Sequence, residues 1–276
     1  MIMPFYLSEP FAWHALLAAV LIAVICGVIG VFVTLRGMAF AVHGTSELAF
    51  TGAAAGLLIA DNPIAGAFGG AIVVATTLGA LAVKERERDT TIGVVLAFGL
   101  GIGVLLLSFY HGFATEATNI LFGNIFGVSN GQLLILLGVG LGVLLAMAYI
   151  YRPLLFASID PEVAEARGVS VKALNIAFLY ILALTVTAAA QVVGTLLVLS
   201  LAITPAAAAS RLASKPRSVV TLSVLFALLA SVGGLFVSLA SSSLKPSVCI
   251  TTISFGLYVF ARLYGKSTSK AVAKAR

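Results

Sequence analysis

The sequence predicts an all-α fold, a polytopic membrane helix bundle of about nine transmembrane helices with one short helix outside the bilayer. Three observations predict it. Hydrophobic residues make up 61% of the 276 and charged residues only 9%, whereas soluble domains carry about a quarter charged residues. The apolar residues fall in runs long enough to cross a hydrocarbon core, which takes about 20 of them. Lysine and arginine gather between alternate runs.

The runs cover roughly 12–35, 38–59, 63–83, 91–110, 131–151, 173–192, 194–210, 218–240 and 247–264. The first follows a segment whose only charge is Glu9, so it lacks the basic start of a signal peptide and is expected to stay as a span. Arg36 closes it, and the turn Asp61-Asn62-Pro63 separates the second run from the third. The charged stretch Lys84 to Asp89 precedes the fourth, and a polar stretch from His111 to Asn130 precedes the fifth. Arg152 to Lys172 is the longest basic connection. In the seventh run Ile203-Thr204-Pro205-Ala206 puts a proline inside apolar sequence, which fits a broken helix or a simple kink equally well. Arg211 to Arg217, then Ser241 to Ser247, bound the eighth run, and the ninth ends in a basic tail from Arg262 to Arg276. Glycine and alanine clusters at Gly52 to Gly56, Gly66 to Gly70 and Gly99 to Gly103 suit close helix approach in lipid.

Residues 1–276 therefore read as a single transmembrane domain, with no length left for a soluble one. No G-x-x-x-x-G-K-[ST] phosphate loop is present, so any nucleotide chemistry has to come from another chain. The net charge of +6 calls for the bilayer and not for nucleic acid, because basic cytoplasmic loops produce the same excess. Cys26 and Cys249 sit in apolar runs without metal-like spacing and read as small core residues.

The second run carries the chemistry. His43 and Glu47 are four residues apart, about 400° of rotation and about 6 Å of rise, so both project from one helical face. They lie about 8 and 14 Å into a core about 30 Å thick, too deep for headgroup contact. Ionisable groups at that depth are expensive and mark a polar pathway more often than packing. Imidazole and carboxylate suit Zn(II), Mn(II) or Fe(II), and without nearby cysteine they do not suit Cu(I). Alone, the pair also fits a proton relay. As metal ligands they are only two, which a twofold dimer with this helix at the axis would double, with Thr45 and Ser46 hydroxyls or water extending the set. His111 and Glu116 could form an outer metal-capture station, although loop charges are more often simply solvated.

Asp160-Pro161-Glu162-Val163-Ala164-Glu165-Ala166-Arg167-Gly168 begins with an N-cap residue, puts Pro first in the helix and acids in the first turn, and stops at Gly. It reads as one or two turns of helix outside the membrane, fit either for docking a soluble partner or for a plain connection.

Five pieces in order give the chain a family resemblance: Arg36-Gly37-Met38-Ala39-Phe40, Asp89-Thr90-Thr91-Ile92-Gly93, Leu121-Phe122-Gly123-Asn124-Ile125, Asp160 to Gly168, and Val198 to Ala206. Over nearly its whole length the chain resembles the membrane-spanning subunit of the zinc, manganese and iron-chelate ABC importers. That family usually writes the second-span motif as G-D-x-[LIV]-x-H; here His43 stands at the Asp position and Glu47 at the His position. Both ligand types survive at the same spacing, in swapped order.

The resemblance implies a permease that catalyses no reaction itself and holds no permanent cofactor. Its partners would be an ATP-binding subunit inside, an extracytoplasmic metal-binding protein and a second permease copy, identical or not. It implies metal contact at His43 and Glu47 and a coupling helix at Asp160 to Gly168, with Asp160, Glu162, Glu165 and Gly168 engaging the ATPase. The rival is a proton-coupled secondary metal transporter with His43 and Glu47 as proton relay. An intramembrane metalloenzyme is disfavoured by the lack of an H-E-x-x-H pattern. Alternation of basic loops predicts a multi-pass protein of the bacterial cell membrane, N-terminus outside and C-terminus in the cytoplasm. A reporter active only in the cytoplasm should therefore work when fused after Arg276 and stay silent when inserted at Asn62; the reverse pattern would overturn the orientation.

Overall fold

Lipid offers no partner to a backbone N–H or C=O, so a chain this apolar has to satisfy its backbone within helices. The computed structural model describes residues 10–81, 85–110, 119–195, 197–241 and 244–274, and the elements found there are all helical. They are α1 (Pro10–Leu35), α2 (Ala39–Ala60), α3 (Pro63–Leu81), α4 (Glu85–Ser108), a 3₁₀ turn (Ile125–Gly127), α5 (Asn130–Ile159), α6 (Pro161–Ala166), α7 (Val171–Val193), α8 (Val198–Ala202), α9 (Thr204–Leu212), α10 (Pro216–Ala240) and α11 (Pro246–Lys274). Among the described residues, α1, α3, α5, α7, α10 and α11 are long and apolar enough to cross a membrane.

Three boundaries differ from the sequence expectation. α5 does not stop at the Arg152 region but carries Pro153 inside it and runs to Ile159. A proline near a helix C-terminus faults only one hydrogen bond, and the apolar Leu154 and Ala157 beyond it are buried. α4 starts at Glu85, inside the charged stretch. The seventh apolar run is two short helices, α8 and α9, joined at Ile203 with Pro205 in the first turn of α9. Proline is tolerated there because the first turn lacks intrahelical acceptors for its N–H groups.

The bundle has two distinct ends. At one, Arg36 donates to Asn175 Oδ1, which joins the α1–α2 corner to the start of α7, and a Cβ on Gly265 would sit 2.7 Å from Arg211 O, which brings α11 against the end of α9. At the other, Ser247 Oγ donates to Phe122 O at 2.7 Å and Thr195 N to Ile120 O at 3.4 Å, which joins the 119–127 segment to the end of α7 and the start of α11.

α1 is the central post. Phe32 meets Tyr151 of α5 edge-on with ring centroids 5.5 Å apart and Phe178 of α7 at 6.2 Å. Ser223 and Ser231 of α10 donate to Gly27 O at 2.7 Å and Ala19 O at 3.0 Å. Such hydroxyl bonds and small-residue contacts hold helices together where the hydrophobic effect cannot.

α2 packs on α3, α4, α7 and α8. Its crossing with α3 is backbone on backbone. A Cβ on Gly56 would lie 2.6 Å from Gly66 Cα, and one on Gly52 would lie 2.8 Å from Gly70 Cα. Gly66→Ala should therefore force α2 and α3 apart and lower the melting temperature of the detergent-solubilised protein, an overpacking cost of about 1–3 kcal/mol. Gly69→Ala, with nothing within 4 Å of its added carbon, should leave the melting temperature unchanged. Equal melting for the two variants would refute the tight crossing.

Candidate functional site

α2 brings His43 and Glu47 to one face, as the spacing requires. Glu47 is 3% exposed, and its Oε2 is buried with no hydrogen-bond partner. His43 is half-buried, and its Nδ1 is likewise buried and unpartnered. The Phe40 ring stands beside the imidazole, centroids 6.4 Å apart. A polar atom buried without a partner costs about 1–3 kcal/mol. Two on adjacent turns of one helix are donors available to a cation.

The neighbouring hydroxyls are already committed. Thr45 Oγ1 donates to Ala41 O at 2.7 Å and Ser46 Oγ to Thr195 O at 2.6 Å. Each oxygen keeps lone pairs but has its proton fixed. Among the described residues no cluster of three or more His, Cys, Asp or Glu exists, so one chain offers this site two such ligands. His111 and Glu116 lie outside the described residues.

The sequence did not single out Thr195 or Gln191. α7 ends at Val193, and Gly194 follows with φ +95°, so the chain leaves the helix beside α2. Gly123, φ +73°, faces it so closely that a Cβ on it would lie 2.5 Å from Gly194 N. Thr195 is 3% exposed with an unpartnered Oγ1. A glutamine three residues before a glycine at the end of an apolar run was the available signal.

α6 forms as the sequence predicts. Asp160 caps it, accepting from Val163 N at 3.1 Å, with Pro161 first in the helix. At its other end Gly168 N donates to Glu165 O at 2.9 Å and Val169 N to Ala164 O at 3.0 Å, while Gly168 has φ +82°. That is a Schellman stop, which needs the left-handed residue glycine supplies. Ala164 is fully buried with Ala157 and Val171. Glu162, Val163 and Glu165 are exposed.

A bundle of membrane-length helices, a buried carboxylate with a half-buried imidazole one turn away and a capped helix at one end make up a membrane transport subunit. The sequence matches the ABC 3 transport family over residues 8–265, and the chain belongs to that family. It is 34% identical to the manganese transport system membrane protein MntC of Halalkalibacterium halodurans, over 84% of this chain and 80% of that one. It is 32% identical to the high-affinity zinc uptake system membrane protein ZnuB of Haemophilus influenzae, over 90% of this chain and 96% of that one. The solved structure of PsaBC from Streptococcus pneumoniae in complex with Fab superposes with a TM-score of 0.82 at 29% identity, covering 95% of both chains.

Proposed function

We propose that this chain is the permease subunit of an ATP-driven importer of a divalent transition metal, zinc, manganese or iron, working by alternating access in a bacterial cell membrane. The carrying observation is the pair of buried, unpartnered donors, His43 Nδ1 and Glu47 Oε2, on one face of α2. Nitrogen with carboxylate oxygen suits those ions. Family membership and the manganese and zinc relatives support import of metal over the proton-relay reading.

The chain crosses the bilayer nine times when α2, α4 and the α8–α9 pair are counted with the six helices that are long and apolar enough on their own. Its N-terminus is outside and the end bearing α6 faces the cytoplasm. Two permease copies, the same or paired, bring their α2 helices to a common axis and complete the ligand set. A separate ATPase subunit hydrolyses ATP and grips α6, where Asp160 and Gly168 hold the helix ends and Glu162 and Glu165 present charge. An extracytoplasmic binding protein delivers the metal. ATPase closure moves α6, and because Ala164 is locked against α5 and α7 the motion passes to the bundle.

Glu47→Gln keeps the side-chain volume and removes the charge; His43→Ala removes the nitrogen. Each should cut metal uptake by more than the roughly 10–100-fold typical of residues that only support a ligand, while the protein still inserts and assembles. Wild-type uptake at matched expression would sink the site. Glu162→Lys with Glu165→Lys should reduce co-purification of the ATPase subunit, and unchanged assembly with normal metal-stimulated hydrolysis would remove α6 from the interface.

A further inference from the structure

A cavity of about 290 Å³ opens at the end of the bundle opposite α6, and five of its lining residues carry neutral polar side chains: Asn119, Asn124, Gln132, Gln191 and Thr195. Among the described residues, no charged one lines it. In a bundle this apolar, amides converging on one space have to be met by water or by a hydrated ligand. Each amide offers a carbonyl acceptor and two N–H donors. Neutral oxygens do not repay stripping water from a divalent cation, but they do accept hydrogen bonds from the waters of its inner shell. Six such waters at about 30 Å³ each fill about 180 Å³, which the cavity accommodates.

The position of this cavity relative to the buried pair is specific. Ala49 and Ala53 of α2 line it, and Ser46 belongs to the same stripe of that helix. His43 and Glu47 belong to the adjoining stripe, about 100° round the axis. Between the two stands the Ser46 Oγ bond to Thr195 O, 2.6 Å long. Thr195 also lines the cavity and keeps its buried Oγ1 unpartnered.

We propose that this cavity is an antechamber for a hydrated divalent cation, held through neutral amide and hydroxyl oxygens, with the Ser46–Thr195 bond as the partition it passes before shedding water at His43 and Glu47. The inference rests on the metal-permease reading and adds a second, outer-sphere station to it. In cells carrying the intact transporter, Gln191→Leu should raise the KM for Mn(II) uptake about fivefold, the factor for one ordinary hydrogen bond, with KM rather than the maximal rate the parameter that moves. Independently, Ile64→Cys, at a half-buried lining position, should react with a membrane-impermeant thiol reagent added outside, against native cysteines that are both buried, and Mn(II) should slow that reaction. Either an unchanged KM or labelling that saturating Mn(II) fails to slow overturns the antechamber and leaves Glu47 untouched. Wild-type Mn(II) uptake by Glu47→Gln overturns the inner site at His43 and Glu47, and an intact transporter that takes up no manganese, zinc or iron overturns the functional reading itself.

Discussion

A carboxylate that is 3% exposed inside a membrane bundle is the constraint to which the rest of the structure answers. Its charged form costs about 3 kcal/mol or more at the centre of a spanning helix, so the helix bearing it cannot face lipid there. α2 is accordingly enclosed by α3, α4, α7 and α8. Enclosure without a hydrophobic driving force demands shape, and glycine supplies it. The α2–α3 crossing is backbone against backbone. On the α4 side, a Cβ on Gly103 would lie 2.8 Å from the Phe50 ring, and Thr51 Oγ1 donates to Gly99 O at 2.6 Å. The same contacts that shield Glu47 hold its backbone still, so the donors on that face are positioned before any ligand arrives.

The interruption after α7 follows from the same need. Irregular backbone at membrane depth persists only where protein or a wet cavity satisfies it. Here Gly194 N donates to Ala190 O at 2.8 Å, Thr195 N to Ile120 O, and Thr195 O accepts from Ser46. The carbonyl freed by breaking a helix is thus used to tie the break to the helix that carries His43 and Glu47. A single such bond is worth about 1 kcal/mol net. Under the proposed function that is small against the free energy an ATPase can deliver, so the tie would hold the resting arrangement without blocking a transport cycle. The joint at Ile203 between α8 and α9 gives the same wall of the site a second place to bend.

Much of this was legible in the chain because its signals are local. The spacing of His43 and Glu47 fixes one face whatever surrounds it. Asp160 through its carboxylate, and Pro161 and Gly168 through their backbone, each suit a helix end locally, and α6 obeys all three. What stayed hidden is tertiary. Pro153 reads as a helix breaker, yet α5 continues past it because the packing of Leu154 and Ala157 outweighs one lost bond. Hydropathy sees 194–210 as one continuous run, since Gly194 and Thr195 barely lower the average. The left-handed glycine and its contact with Gly123 exist only once residues 119–127 fold back onto α7. The polar cavity is assembled from residues of several elements, and of its polar side chains only Asn124 lies in a stretch that the sequence marks.

The incompleteness of the site within one chain bears on transport itself. A carrier must bind well enough to load and weakly enough to release. A full set of charged ligands in one protomer would hold the ion through both halves of the cycle. One imidazole and one carboxylate on a single helix do not, and among the described residues no third His, Cys, Asp or Glu joins them. Glu47 is nearly closed off, whereas His43 is half-buried beside Phe40, which is 39% exposed. The imidazole therefore stands where α2 is left partly uncovered by its own chain. Under the proposed function, coordination is completed there by a second permease or by water, and it is undone when the two halves move apart. Affinity then becomes a property of the relative position of the protomers, which is the quantity ATP binding and hydrolysis can change.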